Sequence, residues 1–417
     1  MYLRCYPRPD GVATSAKTRL VLRAASLLIL GLFGAQAQQA SAQSNPSIDI
    51  ALAAAPSPFI NEPHSLAQTR PGWPWRTDTT KRTVALSEFQ MMLGRDAIPP
   101  IDQPRFVVAA KSLNACPDRE PAIVLTYGDQ ARAYPLRLLL WHEIVNDRIG
   151  GVPVAVTFCP LCHAAVVFDR RVEKDGKAQL LDFGTSGLLR TSDLVMWDRQ
   201  TESWWQQMTG EALVGAYAGT ELKLLPAAVR SCAAFREAHP SGQVLVPQDP
   251  NLRPYGRTPY AGYENNQPFA LNGEPDPRLP ATSRVVGICR NGTCRAYPWD
   301  LLAASGLIED TVGGESIAIF YAPGALAVMD AEKLVDSYDA GQVAVYAADR
   351  NGRRMRFSRA PEGWEDRHGD VWRLDGRCTS GSEEGEALSP LVYHGVYAFA
   401  WFRFFPNSGL YAVPDNR

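Results

Sequence analysis

Two cysteines three residues apart, Cys159 and Cys162 of Cys159-Pro160-Leu161-Cys162, are the side chains of this chain whose type and spacing could carry chemistry. Val152, Val154, Val156 and Phe158 alternate into them, and Ala164 to Phe168 leads away. That pattern predicts a strand, a β-turn and a returning strand. Proline suits the second position of the turn because its ring already holds the φ required there. The Cα atoms at the two ends of a β-turn lie within about 7 Å, which overlaps the roughly 4.4–6.8 Å of a disulfide and also suits chelation of a metal by two thiolates. Dithiol–disulfide exchange and binding of copper(I) or zinc are therefore both open on geometry. A purely structural bridge is the weaker reading, because closing so short a loop removes little unfolded-state entropy.

An internal repeat sorts the neighbours of the cysteines. Ala131-Arg-Ala-Tyr-Pro135 recurs as Cys294-Arg-Ala-Tyr-Pro298, 163 residues later (294 minus 131). The same offset maps Asp147-Arg-Ile-Gly-Gly151 onto Asp310-Thr-Val-Gly-Gly314, and Val154, Val156 and Phe158 onto Ile317, Ile319 and Tyr321. Related segments, Ala234 to Pro240 and Ala400 to Pro406, close the two copies, so modules are placed at 83–246 and 284–417. At the cysteine turn the second copy reads Ala322-Pro323-Gly324-Ala325, keeping the proline and losing both sulfurs. Trp141-His142-Glu143 likewise becomes Ala304-Ser305-Gly306. His142, Glu143 and His163 are thus polar groups peculiar to the first copy, of the kind that lower a thiol pKa or complete a metal site. The shared Asp147 and glycine pairs read as architectural. In Ser192-Asp193-Leu-Val-Met196-Trp-Asp198, Asp193 and Asp198 could line the site, and Met196 is a soft donor suited to copper(I).

Each module should open with a hairpin, turning at Gly128-Asp129 and at Asn291-Gly292. A helix of about ten residues follows Pro135, with Leu136, Leu139, Leu140 and Ile144 on one face and Asn146-Asp147 and Gly150-Gly151 ending it. If that helix packs antiparallel to the next strand, His142 lies roughly 20 Å from Cys159, which counts against it as a direct ligand. Further short strands are expected at 165–172, 179–183, 194–198 and 203–207. The fold class is a β-rich α+β architecture of two tandem strand-dominated modules. Cys289 and Cys294 fall opposite each other across the Asn291-Gly292 turn and should form a structural disulfide; Cys116, Cys232 and Cys378 read as free buried thiols. Between the modules, residues 247–283 hold eight prolines with Tyr255, Tyr260, Tyr263 and Phe269. That composition predicts a proline-stiffened spacer, with an arm covering the site as the alternative.

Lys17, Arg19 and Arg23 precede an apolar run from Ala24 to Gly34 and then Ala40-Ser41-Ala42, which reads as a secretory signal over residues 1–42. The run is about half the roughly 20 residues of a membrane span, so a soluble periplasmic or secreted protein with no span after cleavage is expected. Residues 43–82 read as a loosely ordered lead-in. Loss of Cys5 with the signal leaves seven cysteines, an odd number in an oxidising compartment. A net charge of -2 without a basic run gives no footprint for nucleic acid. His142-Glu-Ile-Val-Asn146 lacks the second histidine of a zinc protease, Gly184-Thr-Ser-Gly187 is not a nucleophile elbow, and no glycine-rich phosphate loop is present.

Trp141-His-Glu-Ile-Val-Asn-Asp147, Gly150-Gly151, Val156-Thr-Phe-Cys-Pro-Leu-Cys162, Ser192-Asp193-Leu-Val-Met196 and Asp198-Arg-Gln-Thr201 together resemble the domain-of-unknown-function 3179 family. The likeness extends to Arg253-Pro-Tyr-Gly-Arg257 and Pro259-Tyr260 and covers nearly the whole mature chain. The resemblance brings no established activity. Names of some members flag selenoproteins, which implies a redox-active chalcogen. Two positions depart from the family: Trp197 stands where tyrosine is usual, and His163 where a small or amide residue is more common. With His163 the motif satisfies the pattern for c-type haem attachment, against which relatives lacking the histidine speak. The sequence thus leads to an exported protein using Cys159 and Cys162 for thiol redox chemistry with an unidentified partner, Cys159 attacking. The alternative is copper(I) or zinc held by Cys159, Cys162 and one of His163, Met196 or His142. A third reading is a binding protein built on the linker and second module.

Overall fold

Valines and alanines alternating with polar residues make Pro121–Tyr127 and Gln130–Pro135 the expected hairpin in the computed structural model, with Gly128 at φ +60° in the turn. The structure describes residues 75–413 apart from 175, 270 and 272. The signal sequence, Cys5 and the lead-in up to residue 74 lie outside the described residues. The rest of the lead-in, 75–82, is packed: Trp75 is buried edge-on to Trp197 and Trp204, at 5.5 and 5.7 Å between ring centroids, and Arg82 bridges to Val214. Burying an indole outweighs the loose order expected there.

After Pro135 the helix is seven residues long, Leu136–His142, with Leu136, Leu138, Leu139 and Leu140 buried. It stops at Glu143, whose φ of +57° reverses the chain. Asn146 and Asp147 therefore do not end a longer helix; they lie in a strand, Ile144–Ile149, that pairs antiparallel with Val152–Cys159 through a Gly150-Gly151 turn. Asp147 is fixed in that strand by Tyr134, whose hydroxyl donates at 2.6 Å, and by Arg132 at 2.7 Å. Val152–Cys159 continues into Ala164–Asp169, and residues 224–225 complete this sheet.

A second sheet runs Phe89–Met91, Phe183–Arg190, Asp193–Asp198, Trp204–Gln206 and Ala212–Val214. The strand reaches well past Phe183 because Gly187, at φ +76° beside a bulge, lets the backbone of Leu93 approach: a Cβ there would sit 2.1 Å from the Leu93 carbonyl oxygen. The hairpin at 121–135 belongs to a third sheet with Ala228–Ser231, Gln243–Val246 and Arg105–Val108. Among the described residues the architecture is strand-rich α+β, with four seven-residue α-helices and no helix long and apolar enough to cross a membrane.

Residues 284–322 run in the same order as 121–159: hairpin Arg284–Arg290 and Thr293–Pro298, helix Trp299–Ser305, then Leu307–Val312 paired with Glu315–Ala322. The helix ends at Gly306, φ +70°, as the first ends at Glu143. Ala322, however, pairs with Gln342, so Pro323 and Gly324 open an excursion of the chain instead of repeating the cysteine turn.

Cys289 and Cys294 face each other in register and are bonded. Cys116 and Cys232, expected to be free, are also bonded, with Cα atoms 5.7 Å apart. Ala228–Ser231 pairs with Pro121–Tyr127, which sets the segment before residue 121 beside the helix after residue 231. That contact spans 116 residues and leaves no mark in the local sequence. Cys378 is free and buried, as expected.

Candidate functional site

The Val152–Cys159 strand is buried along its whole length and delivers Cys159 to the end of the sheet, opposite Ala164. Pro160 to His163 make the turn: the His163 amide donates to the Pro160 carbonyl at 2.9 Å, and His163 takes φ +56°. Both thiols are free and buried, Cys159 at 2% exposure and Cys162 at 0%. The second half of the chain pins the turn, since the Tyr397 amide donates to the Cys162 carbonyl at 3.0 Å.

Facing the sulfurs is the turn between Phe183–Arg190 and Asp193–Asp198. Thr191 and Ser192 occupy its two central positions at φ +57° and +63°, a mirror-image turn normally given to Asn-Gly. It presents the Ser192 carbonyl, to which Cys162 Sγ donates at 3.3 Å and Cys159 Sγ at 3.9 Å. It also places Asp193, with a carboxylate oxygen and the two sulfurs all within 4.8 Å of one another. Asp193 Oδ2 accepts from Gln206 Nε2 at 2.6 Å and from the Met208 amide at 2.9 Å. Its Oδ1 is buried without a hydrogen-bond partner of ordinary geometry, and the two thiols are the donors beside it.

Glu143 joins from the end of the helix. Its carbonyl accepts from the Phe158 amide at 2.8 Å, one residue from Cys159. Burial pushes the Glu143 carboxyl up to about 8, with the Asp193 charge adding to it, and burial pushes Asp193 up to about 6. Burial also raises the Cys159 thiol, and raises Cys162 further with Cys159 beside it. Burial is the largest force on each of these four acids; the Gln206 amide and the Met208 N–H offset part of it at Asp193, and no basic side chain does so. At neutral pH the resting state is two thiols, a protonated Glu143 and an ionised Asp193.

Backbone strain gathers at the same place. Of the eight non-glycine residues at positive φ among those described, Glu143, His163, Thr191 and Ser192 surround the thiols. Each such residue costs on the order of 1–3 kcal/mol and persists only where its surroundings enforce it. The second half of the chain has Gly306 in place of Glu143, a residue that adopts this conformation freely.

The other expected site residues are placed elsewhere. The separation of roughly 20 Å expected between His142 and Cys159 rested on a helix packed against the next strand. The intervening strand Ile144–Ile149 turns the chain around and brings Ile144 opposite Thr157. The His142 ring is nevertheless engaged away from the sulfurs, with Nδ1 2.8 Å from the Pro99 carbonyl and Nε2 2.7 Å from the Tyr255 hydroxyl. His163 also turns away: Nδ1 lies 3.4 Å from the Gly395 carbonyl and the ring packs between Phe158 and Tyr397, at 5.7 and 5.4 Å. Burial drives its pKa down to about 3, so it is neutral. A histidine so enclosed, beside two buried thiols, offers no open face to a haem. Met196 is wholly buried opposite Thr185 and Trp205, in the same core cluster as both cysteines. Asp198 is a structural knot, accepting from the amides of Thr201 and Ser203 and from Trp205 Nε1 at 2.6, 3.1 and 2.9 Å.

Within 247–283, residues 255–269 pack beside the cysteine site. Trp141 Nε1 donates to the Arg257 carbonyl at 3.1 Å, and the amides of Thr258 and Gly262 donate to the carbonyls of Glu332 and Asp330 at 2.9 and 2.7 Å. Tyr260 is half-buried near Glu143 and Cys159, while the Tyr263 hydroxyl accepts from the Phe269 amide at 3.2 Å. The Ser192 hydroxyl donates to the Phe269 carbonyl. Sequence reasoning did not single out Ser192, which has no chemistry of its own; the density of tyrosine in the segment was the available signal for this packing. A cavity of about 940 Å³ elsewhere, with Phe235, Tyr346 and Trp364 in its wall, contains neither cysteine.

Among the described residues, Cys159, Cys162 and Asp193 are the only group of three His, Cys, Asp or Glu with ligand atoms close enough to share a metal ion. The arrangement can exchange protons between thiols and carboxylate, close a disulfide, or offer three donors to a cation. No curated protein and no solved structure matches the chain. Residues 95–408, which contain this entire site, match the family described as Protein of unknown function (DUF3179), and the chain belongs to that family.

Proposed function

We propose that the protein is a thiol–disulfide redox protein in which Cys159 attacks, Cys162 resolves and Asp193 takes the proton. The observation that carries this reading is the unpartnered, buried Oδ1 of Asp193 beside two free thiols. Buried thiols without a basic neighbour are not reactive at rest, so a base must act as the partner arrives. Asp193, held near 6, is matched to that task at neutral pH. Cys159 is the better nucleophile of the pair because it is the more exposed and its pKa is raised less.

With a disulfide R–S–S–R′ as oxidant, the Cys159 proton passes to Asp193. The thiolate forms a bond to one sulfur and expels R–S⁻. Cys162 then attacks Cys159 Sγ and expels R′–S⁻. The protons of the two cysteines end on the two released thiols, and two electrons move from the protein to the partner. A Cys162→Ser variant should accumulate the mixed disulfide on Cys159, visible as added mass that a reductant removes; no adduct under conditions that oxidise the wild type would reject the assignment.

A metal reading is favoured by one fact, the three ligand atoms within 4.8 Å. Against it, structural zinc takes four donors where this closed site supplies three, and a carboxylate is a hard partner for copper(I). Native intact mass of protein purified without chelators separates the readings, since the redox reading predicts the bare chain.

We also read residues 121–246 and 284–410 as copies of one module, the second having lost the chemistry. Support comes from the shared hairpin–helix–hairpin order and from the shared ending. Ala228–Ser231 and His394–Tyr397 each lead into a helix, followed by a strand parallel to the hairpin's second strand. Export to the periplasm rests on the leader sequence and predicts a mature N-terminus near Gln43, read by N-terminal sequencing.

A further inference from the structure

Cys159 and Cys162 are closed off by the chain's own segment 255–269, so any partner sulfur must meet the site with that cover displaced. The question is what the thiols sense when the cover moves. Most of its anchors lie away from them: Tyr255 on His142, Arg257 on Trp141 and Glu332, Gly262 on Asp330. One anchor does not. The Ser192 hydroxyl holds the Phe269 carbonyl, and the carbonyl of the same residue receives both thiols. Ser192 is wholly buried and strained at φ +63°, and Thr191 before it is strained too. A turn with two non-glycine residues at positive φ relaxes when its external contacts are lost. Within the cover the Phe269 amide donates to the Tyr263 hydroxyl, which fixes the orientation in which Phe269 meets Ser192.

We propose that Ser192 is a positioning residue that couples the cover to the thiols: with the cover seated, its carbonyl competes with Asp193 for the thiol hydrogens, and release of Phe269 withdraws that carbonyl and leaves Asp193 as their acceptor. This deepens the redox reading and rests on it for its purpose, but the coupling is tested without any redox step. In the closed state two acceptors face the thiols, the neutral Ser192 carbonyl, which cannot take a proton, and the Asp193 carboxylate, which can. In the opened state only the carboxylate remains.

The test is the alkylation rate of each cysteine at fixed pH in the full mature protein, resolved by peptide mass. Cys378, free and buried in a different core cluster, serves as internal control. Ser192→Ala removes the hydroxyl and keeps the strained φ. Tyr263→Phe removes the bond that orients Phe269 and keeps the ring. Both should speed labelling of Cys159 and Cys162 about fivefold, the effect of one hydrogen bond on a local opening, and leave Cys378 unchanged. Ser192→Gly, which loses the hydroxyl but also relieves the strain, should label more slowly than Ser192→Ala. Wild-type rates in both Ser192→Ala and Tyr263→Phe would overturn the proposal. So would equal acceleration at Cys378, which would mean that the whole fold had loosened. If the coupling holds but the pair never oxidises, the redox reading fails and the positioning role of Ser192 stands.

Discussion

Replacing Asp193 by asparagine exchanges a buried carboxylate for a neutral amide of nearly the same shape. The amide oxygen can still accept from Gln206 Nε2 and the Met208 amide, so the local hydrogen bonds survive. What disappears is the cost of a buried charge. Burial lifts the Asp193 pKa from 3.8 to about 6. A shift of roughly two units corresponds to on the order of 3 kcal/mol. Because the folded pKa lies above the unfolded one, this cost is absent below pH 3.8, where the carboxyl is neutral in both states, and is fully felt once the pH has risen through about 6. Urea unfolding should therefore find wild type and Asp193→Asn about equally stable at acid pH. At pH 8 the variant should be the more stable by up to on the order of 3 kcal/mol. Alkylation of Cys159 at neutral pH should fall by about a hundredfold in the same variant, as for loss of a general base. A variant that gains stability while losing reactivity is what a charge kept for chemistry predicts. If Asp193→Asn is instead much less stable at pH 8, the charge is compensated in the native protein by a bound cation, and the argument from an uncompensated carboxylate is wrong.

The Glu143 carboxyl, lifted from 4.5 to about 8, makes wild-type stability decline as pH rises through about 8; Glu143→Gln should flatten that decline in urea unfolding across pH 5 to 9. Opening the Cys116–Cys232 disulfide in a Cys116→Ser/Cys232→Ser variant should cost up to about 4–5 kcal/mol, as expected for a loop of this length, whereas Cys289→Ser/Cys294→Ser should cost much less, both read by urea midpoints. His163→Asn, which suits positive φ, should leave the alkylation rates of Cys159 and Cys162 unchanged, because the His163 ring faces Gly395 and Tyr397; a large change would bring His163 back into the site.

Much of the site was legible because it is local. The cysteine spacing, the alternating strand before it and the loss of both sulfurs at Ala322 and Ala325 are all written within a few residues. Asp193 was in view through the segment that carries it, and the Cys289–Cys294 bridge through its two-residue turn. What was not legible depends on reversals and long-range pairing. Glu143 ends the helix in a conformation that residue rarely adopts, so Ile144 read as the last turn of a helix, the strand Ile144–Ile149 was missed and the distance from His142 to Cys159 was misjudged. The tight turn could not be checked against Ala322–Ala325, because there the chain departs to Gln342 before pairing resumes. Cys116 and Cys232 meet only because Ala228–Ser231 pairs with Pro121–Tyr127. The packing of 255–269 beside the site depends on contacts to Trp141, Ser192 and residues 330–334 that no local pattern announces.

The most direct test of the central claim is a redox equilibration of the mature protein. Samples are held in glutathione buffers of graded potential, then quenched with a thiol-blocking reagent and weighed as peptides containing Cys159 and Cys162. The account predicts that both cysteines change together, in a two-electron transition at a potential above the roughly −300 mV typical of inert structural bridges, and that Asp193→Asn slows its approach to equilibrium. A pair that remains dithiol in every buffer, or that oxidises and can no longer be reduced by the glutathione pool, would contradict it.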